Sequence, residues 1–198
     1  VLADDASEGM RTWTVSPEAF EAQLRYLHEN GWQAIGPQSL AGYLRHGEAL
    51  PSKPVMISMD DGYAEVYSVA LPLCQRFAMP ATLFIVPGYL GCGDYLDWDE
   101  LHALVDAGFW VGSHSWDHAN LRGAQERVVR EQLLDSREVL EEELDIEVSS
   151  FCYPYGSYDD NLVGTLPECG YDSAFTLNPL GWQDPERPYR LNRLRVSY

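Results

Sequence analysis

Two short stretches of this sequence combine residues able to hold a metal ion and activate water. The first is Val55-Met56-Ile57-Ser58-Met59-Asp60-Asp61-Gly62-Tyr63, an apolar run ending on adjacent carboxylates and a glycine. The second is Ser113-His114-Ser115-Trp116-Asp117-His118, two histidines four apart that follow the apolar segment Gly108-Phe109-Trp110-Val111-Gly112. Each reads as a buried strand handing polar groups to a loop. Two neutral imidazoles and one carboxylate supply three ligands of a tetrahedral zinc and leave the fourth position to water, whose pKa falls toward about 7 on the metal. The second carboxylate is then free to take the water's proton. Neighbours on an extended strand point to opposite sides, so Asp60 and Asp61 serve one pocket only if the chain bends at Gly62. Zinc is the first expectation for a His2Asp set, with other divalent ions open.

Strands that end in chemistry need helices to return the chain, and the sequence supplies them in alternation. Residues 1–15 show little periodicity and read as a loose entry segment, leaving 16–198 as one catalytic domain. Ser16-Pro17-Glu18 carries N-cap, first-turn proline and first-turn acid, and Phe20, Leu24 and Leu27 continue a helical stripe to Gly31. A short strand at 32–35 and a helix at 37–44, with Leu40 and Leu44 inward, follow. Residues 55–59 form the strand leading to the two aspartates, and 64–77 reads as helical despite Pro72. Residues 81–86 form a strand stopped by Pro87-Gly88, before a glycine-rich loop at Gly91-Cys92-Gly93. Asp97 or Asp99 caps a helix bearing Leu101, Leu104 and Val105, and 109–113 is the strand that presents the histidines. A long charged helix spans 124–144, with Val128, Leu133, Leu140 and Leu144 on one side. A strand at 148–153 is broken by Pro154-Tyr155-Gly156, a helix spans 159–168, and strands are expected at 174–176 and 194–196. This alternation predicts parallel pairing in a single α/β domain, with a barrel-like closure because chemistry gathers after strand ends.

Composition sets the outer limits. A chain of 198 residues can bury roughly 70% of its unfolded surface around one core. The 45% hydrophobic content argues against disorder, and no apolar run approaches the ~20 residues needed to span a bilayer. A formal charge of −18 repels phosphate backbones, so nucleic acid is not an expected partner. Cys74, Cys92, Cys152 and Cys169 show no C-x-x-C spacing, which predicts free, mostly buried thiols rather than a zinc knuckle.

The motifs resemble those of the polysaccharide deacetylases, the NodB-homology or carbohydrate esterase family 4 enzymes. Ser58-Met59-Asp60-Asp61-Gly62-Tyr63 is similar to their T-F-D-D-G motif, His114 to His118 to H-[ST]-x-x-H, and Tyr153-Pro154-Tyr155-Gly156 to R-x-P-Y-G, in the family's order. The form of Phe151 to Gly156 most resembles the branch that de-N-acetylates poly-β-1,6-N-acetylglucosamine. The resemblance implies a distorted (β/α) barrel, Asp61, His114 and His118 as metal ligands, Asp60 as general base, and an oxyanion site at the Tyr155 backbone N–H. It implies an N-acetylated polysaccharide or oligosaccharide as substrate and an extracytoplasmic or cell-envelope setting.

Departures from the pattern matter as much. Cys152 stands where the family motif carries the arginine that orients the catalytic carboxylate. Arg193 or Arg195, near the C-terminus, could return a guanidinium to the pocket, because a planar fork pairs bidentately with a carboxylate. The family's acid histidine in L-x-H has no counterpart after His118, and in the poly-N-acetylglucosamine branch it lies ahead of the first helix, about where Val1 begins. His28, His46 and His102 read as ordinary helix histidines. Trp116, between the ligand histidines, is the leading candidate to meet a sugar ring, with Tyr63, Pro154 and Tyr89 beside it. Trp98, Trp110 and Trp182 read more readily as packing.

Overall fold

The computed structural model describes residues 12–197. Most of the expected entry segment, residues 1–11, lies outside the described residues. Thr14, within its last part, is buried. Helix α1 (Pro17–Glu29) starts as the sequence predicts: Ser16 accepts a hydrogen bond from the Ala19 N–H, and Pro17 fills the first turn. Its buried residues Phe20 and Leu24 hold it in the main apolar cluster, each contributing roughly 1.5–3 kcal/mol on burial. Two-residue strands β1 (Gln33–Ala34) and β2 (Pro54–Val55) pair in parallel, flanking α2 (Pro37–His46).

The predicted strand at 55–59 is in fact two. Val55 belongs to β2, Met56 and Ile57 leave the ladder, and β3 (Ser58–Asp61) carries both aspartates inside the strand. A π-helical turn over Val66–Ala70 then passes into α3 (Leu71–Phe77), where Pro72 occupies the first turn. The two are continuous, the Leu71 N–H donating back to the Val66 carbonyl, so Pro72 sits where the π-helical turn passes into the α-helix. Strand β4 (Thr82–Ile85) is wholly buried. Helix α4 (Trp98–Asp106) takes Asp97 as its N-cap, in a reciprocal capping box with Glu100. Strand β5 (Trp110–Ser113), helix α5 (Glu126–Leu144), strand β6 (Ser150–Cys152), helix α6 (Asp160–Glu168) and strand β7 (Ser173–Phe175) complete the alternation. On α5 the buried stripe runs through Val129, Leu133, Leu140 and Leu144, so Val129 replaces Val128 as its first member.

Strands β3 to β7 pair in parallel and in sequence order. The sheet is a curled half-barrel, the α/β architecture expected as a distorted barrel. The expected closing strand at 194–196 does not form. Residue Leu191 makes an isolated bridge to Phe175, and 192–197 carry no strand. Two apolar clusters sandwich the sheet. The larger lies under the helices, and the smaller comprises Phe84, Cys152, Phe175 and Leu191 with Leu40, Leu44 and Met56 against it. Parallel strands all point their C-terminal ends the same way, so the loops after β3, β5 and β6 meet on one side of the domain.

Candidate active site

Register brings the two halves of the site together. Asp61 pairs with Ile85 of β4, and Ile85 with Ser113 of β5, so Asp61 and Ser113 end their strands at one level, about 10 Å apart across one intervening strand. The His114 N–H extends the ladder by donating to the Ile85 carbonyl at 2.8 Å. The bend expected at Gly62 begins one residue earlier: Asp61 itself has φ 72°, followed by Gly62 at 85°. An aspartate tolerates the left-handed region better than most side chains. This turn brings both carboxylates to one pocket, with Asp61 turned toward the two histidines and Asp60 beside Cys152. On the other loop, Ser115 at φ 64° and His118 at φ 61° coil the backbone so that both imidazoles converge.

Asp61 Oδ1 lies 3.4 Å from Nε2 of His114 and 3.4 Å from Nε2 of His118. That oxygen is buried and accepts no hydrogen bond from any described residue. A buried carboxylate oxygen without a donor is costly unless something positive meets it. His114 is held by its other nitrogen, with Nδ1 2.7 Å from the Cys152 carbonyl oxygen. This fixes Nδ1 as the protonated donor and leaves the Nε2 lone pair facing Asp61, the usual arrangement behind a ligating histidine. The donor atoms of Asp61, His114 and His118 all lie within 4.8 Å of one another. Orphaned oxygen, oriented imidazole and compact spacing together fit a divalent cation. Burial and the neighbouring His114 push the His118 ring below the ordinary histidine range, which keeps its nitrogen available as a ligand. Burial acts the same way on His114, but Cys152, Asp61 and Asp60 outweigh it and raise that ring, so proton and cation compete for one lone pair.

Asp60 has a different environment. Arg193 grips it with both arms, Nη1 to Oδ1 at 2.7 Å and Nη2 to Oδ2 at 2.7 Å. The guanidinium is itself positioned, donating from Nε to the Thr176 carbonyl at 3.0 Å and from Nη1 to Ser58 Oγ at 3.2 Å. It also lies 5.6 Å over the Phe84 ring. Cys152 Sγ completes the cage, 3.0 Å from Arg193 Nη2 and 3.6 Å from Asp60 Oδ2. Burial alone would raise the Asp60 carboxyl, but the Arg193 charge and hydrogen bonds, with help from His114 and Cys152, hold it well below the usual carboxylate range. Of the two arginines the sequence offered, Arg193 reaches the pocket, while Arg195 stacks over Trp13 at 4.5 Å. Arg193 does so from an irregular segment and not from a strand.

Tyr155 adopts φ 59° within the tight turn Pro154–Gly156. Its ring is 65% exposed and stands edge-on to His118 with centroids 4.5 Å apart. Its N–H donates to no other described residue. Trp116 is 38% exposed, and its N–H donates to Gln132 Oε1 at 3.0 Å. Tyr63 stacks on Tyr95, centroids 4.7 Å apart. Pro154 was expected at the substrate surface and is instead buried, beneath the turn that Tyr155 tips. His28, His46 and His102 are exposed on α1, α2 and α4. Three of the four cysteines are buried and all are free, with Cys92 exposed. The Cys152 carbonyl, Thr176 carbonyl and Ser58 hydroxyl had no signal in the sequence, because two of them are backbone groups and the third is an ordinary strand residue.

A family model described as polysaccharide deacetylase matches residues 47–174. The chain is 27% identical over 92% of its length to YxkH of Bacillus subtilis, whose name places it among the polysaccharide deacetylases. It is 24% identical over 97% of its length to the poly-β-1,6-N-acetyl-D-glucosamine N-deacetylase of Staphylococcus aureus. It spans 66% and 71% of the lengths of these two relatives. Among solved structures, IcaB from Ammonifex degensii superposes with a TM-score of 0.88 at 26% identity, covering 99% of this chain and 88% of that one. The same three-dimensional arrangement, the family model across most of the chain and the Asp–His–His cluster converge, and the chain belongs to the polysaccharide deacetylase family of hydrolases.

Proposed function

We propose that this domain removes N-acetyl groups from an N-acetylglucosamine-containing polysaccharide by metal-dependent amide hydrolysis. The observation that carries the reading is the division between the two adjacent aspartates. Asp61, with an unpartnered buried oxygen, faces His114 and His118, while Asp60 is kept anionic and oriented by Arg193. Asp61, His114 and His118 would hold the divalent ion, with zinc the first choice for this donor set. Such an ion polarises the amide carbonyl and makes a water nucleophilic near neutral pH.

The chain's own residues supply the rest. Asp60 accepts the proton of the attacking water on its carboxylate, and Arg193 keeps that carboxylate in one orientation. The proton that Asp60 takes from the water is then available for the departing amine. The Tyr155 N–H, free of other partners, donates to the carbonyl oxygen as negative charge gathers there. Trp116 and Tyr63 border the opening and offer apolar faces to a sugar ring, and Pro154 sets the turn beneath Tyr155. The glucosamine linkage is suggested by the S. aureus relative, named as a poly-β-1,6-N-acetyl-D-glucosamine N-deacetylase.

The test is acetate release from β-1,6-linked N-acetylglucosamine oligomers, with peptidoglycan fragments and chitin oligomers in parallel. Release from the first, abolished by chelation and restored by zinc, is expected. Release from only one of the others would move the substrate to another amide on the same scaffold. Asp60→Asn should bind metal and lose activity by about two to four orders of magnitude, the usual worth of a general base. No activity in either protein, with metal bound to both, would favour a binding domain instead, whereas equal activity in both would remove Asp60 as the base.

A further inference from the structure

The chain leaving β4 runs between the two ligand-bearing loops and is bonded to both. The Gly88 N–H donates to the Trp116 carbonyl at 2.9 Å, midway between His114 and His118. The Leu96 N–H donates to the Gly62 carbonyl at 2.8 Å, and the Ala64 N–H donates to the Asp94 carbonyl at 2.8 Å. These last two bonds form an antiparallel bridge between Tyr63 and Tyr95, immediately beyond Asp61. Tyr89 Oη adds a bond to the Asp117 carbonyl at 3.3 Å. The segment is also tied to itself, Gly91 N–H to Leu96 carbonyl at 2.8 Å, and Tyr95 stacks between Tyr63 and Tyr89 at 4.7 Å from each. A Cβ at residue 88 would sit 2.7 Å from the Trp116 carbonyl oxygen, closer than real contacts allow.

We infer that residues 87–96 are a strap that fixes the distance between Asp61 and the two histidines, with Gly88 the positioning residue at its His-loop end. β4 separates β3 from β5, so the sheet alone sets their strand ends but not the loops beyond them. Backbone bonds to both loops supply that constraint, and only glycine lets the strap approach the Trp116 carbonyl closely enough. The inference rests on Asp61, His114 and His118 being the cation ligands.

Zinc affinity, measured on the metal-free protein by competition with a chromogenic chelator, tests it without reference to turnover. Gly88→Ala should weaken zinc binding by roughly tenfold to a hundredfold, the usual loss when support behind metal ligands is removed. Gly36→Ala is the control: its Cβ would lie 2.6 Å from Trp110 Nε1, a crowding against a side chain at the α2 N-cap and not against the backbone of a ligand-bearing loop. It should leave affinity within about threefold of wild type. Gly88→Ala at wild-type affinity, or an equal loss in the control, would overturn the strap. Should Gly88→Ala not fold, hydrogen exchange on the wild-type protein decides. The Gly88, Ala64 and Leu96 amides should slow together on zinc addition, more than those of α1, and unchanged exchange would overturn the inference. A wild-type protein that binds no zinc would remove the metal reading itself, a result distinct from either failure of the strap.

Discussion

Truncating Arg193 is the perturbation with the clearest expected size. Arg193→Ala removes two charge-assisted hydrogen bonds of 2.7 Å to Asp60 and those to Thr176 and Ser58. It leaves the Asp60 carboxylate facing Cys152 and Phe84 with no counter-ion. Removing one partner of a buried pair costs about 3–5 kcal/mol. The side chains here are 14% and 26% exposed, so water recovers part of that, and about 3 kcal/mol is expected. For a domain this size each kcal/mol moves Tm by about 2–4 °C, giving a fall of about 6–12 °C in the metal-free protein. Burial, opposed then only by His114 and Cys152, raises the Asp60 carboxyl. The sign follows directly: the wild-type group is depressed and is a base down to low pH, whereas in the variant the acid limb of the deacetylation rate moves upward in pH. Arg193→Lys keeps a charge but not the fork and should fall between the two. Differential scanning fluorimetry with excess chelator reads the first effect, and acetate release across pH 4–9 the second. A variant melting within about 1 °C of wild type with an unmoved acid limb would refute the pairing.

Asp159, N-cap of α6, accepts from the Leu162 N–H at 2.9 Å and the Gly123 N–H at 2.7 Å, and these bonds lower its carboxyl. Its stabilisation is therefore present above the unfolded value of about 4 and is lost as pH falls through the depressed value. Asp159→Asn should cost about 1 kcal/mol in urea unfolding at pH 7, a gap that narrows toward pH 3, and a pH-independent gap would contradict the charge argument. Gly156 has φ 63°, and a Cβ there would meet Leu177 Cγ at 2.8 Å. Gly156→Ala should cost about 1–2 kcal/mol from the left-handed backbone alone. Because the same turn aims the Tyr155 N–H, activity should drop further than the unfolded fraction accounts for, which parallel activity and circular dichroism measurements at 25 °C would show or exclude.

Local chemistry was legible where it depends on near neighbours. Ser16-Pro17 and Asp97 with Glu100 start helices because cap and first-turn groups lie within three residues of each other. Short apolar runs bounded by glycine and proline, and period-3.6 apolar spacing, located the elements of the five-stranded sheet and its helices. The break at Met56-Ile57 was not legible, since an unbroken apolar run does not say which of two sheets each residue joins. Nor was the fate of residues 194–196, which alternate like a strand but have no neighbour to pair with.

The sequence by itself determined the candidate ligand set and its order, because an Asp-Asp-Gly after one apolar run and a His-x-x-x-His after another carry their chemistry in residue type. Tertiary structure brought Asp60 and Asp61 to one pocket through a left-handed turn at Asp61, gave each its own partners, and chose Arg193 over Arg195 as the partner of Asp60. It also bound the two loops through the segment after β4. Each of these depends on register across neighbouring strands and on backbone carbonyls that every residue possesses, so side-chain identity along the chain cannot specify them.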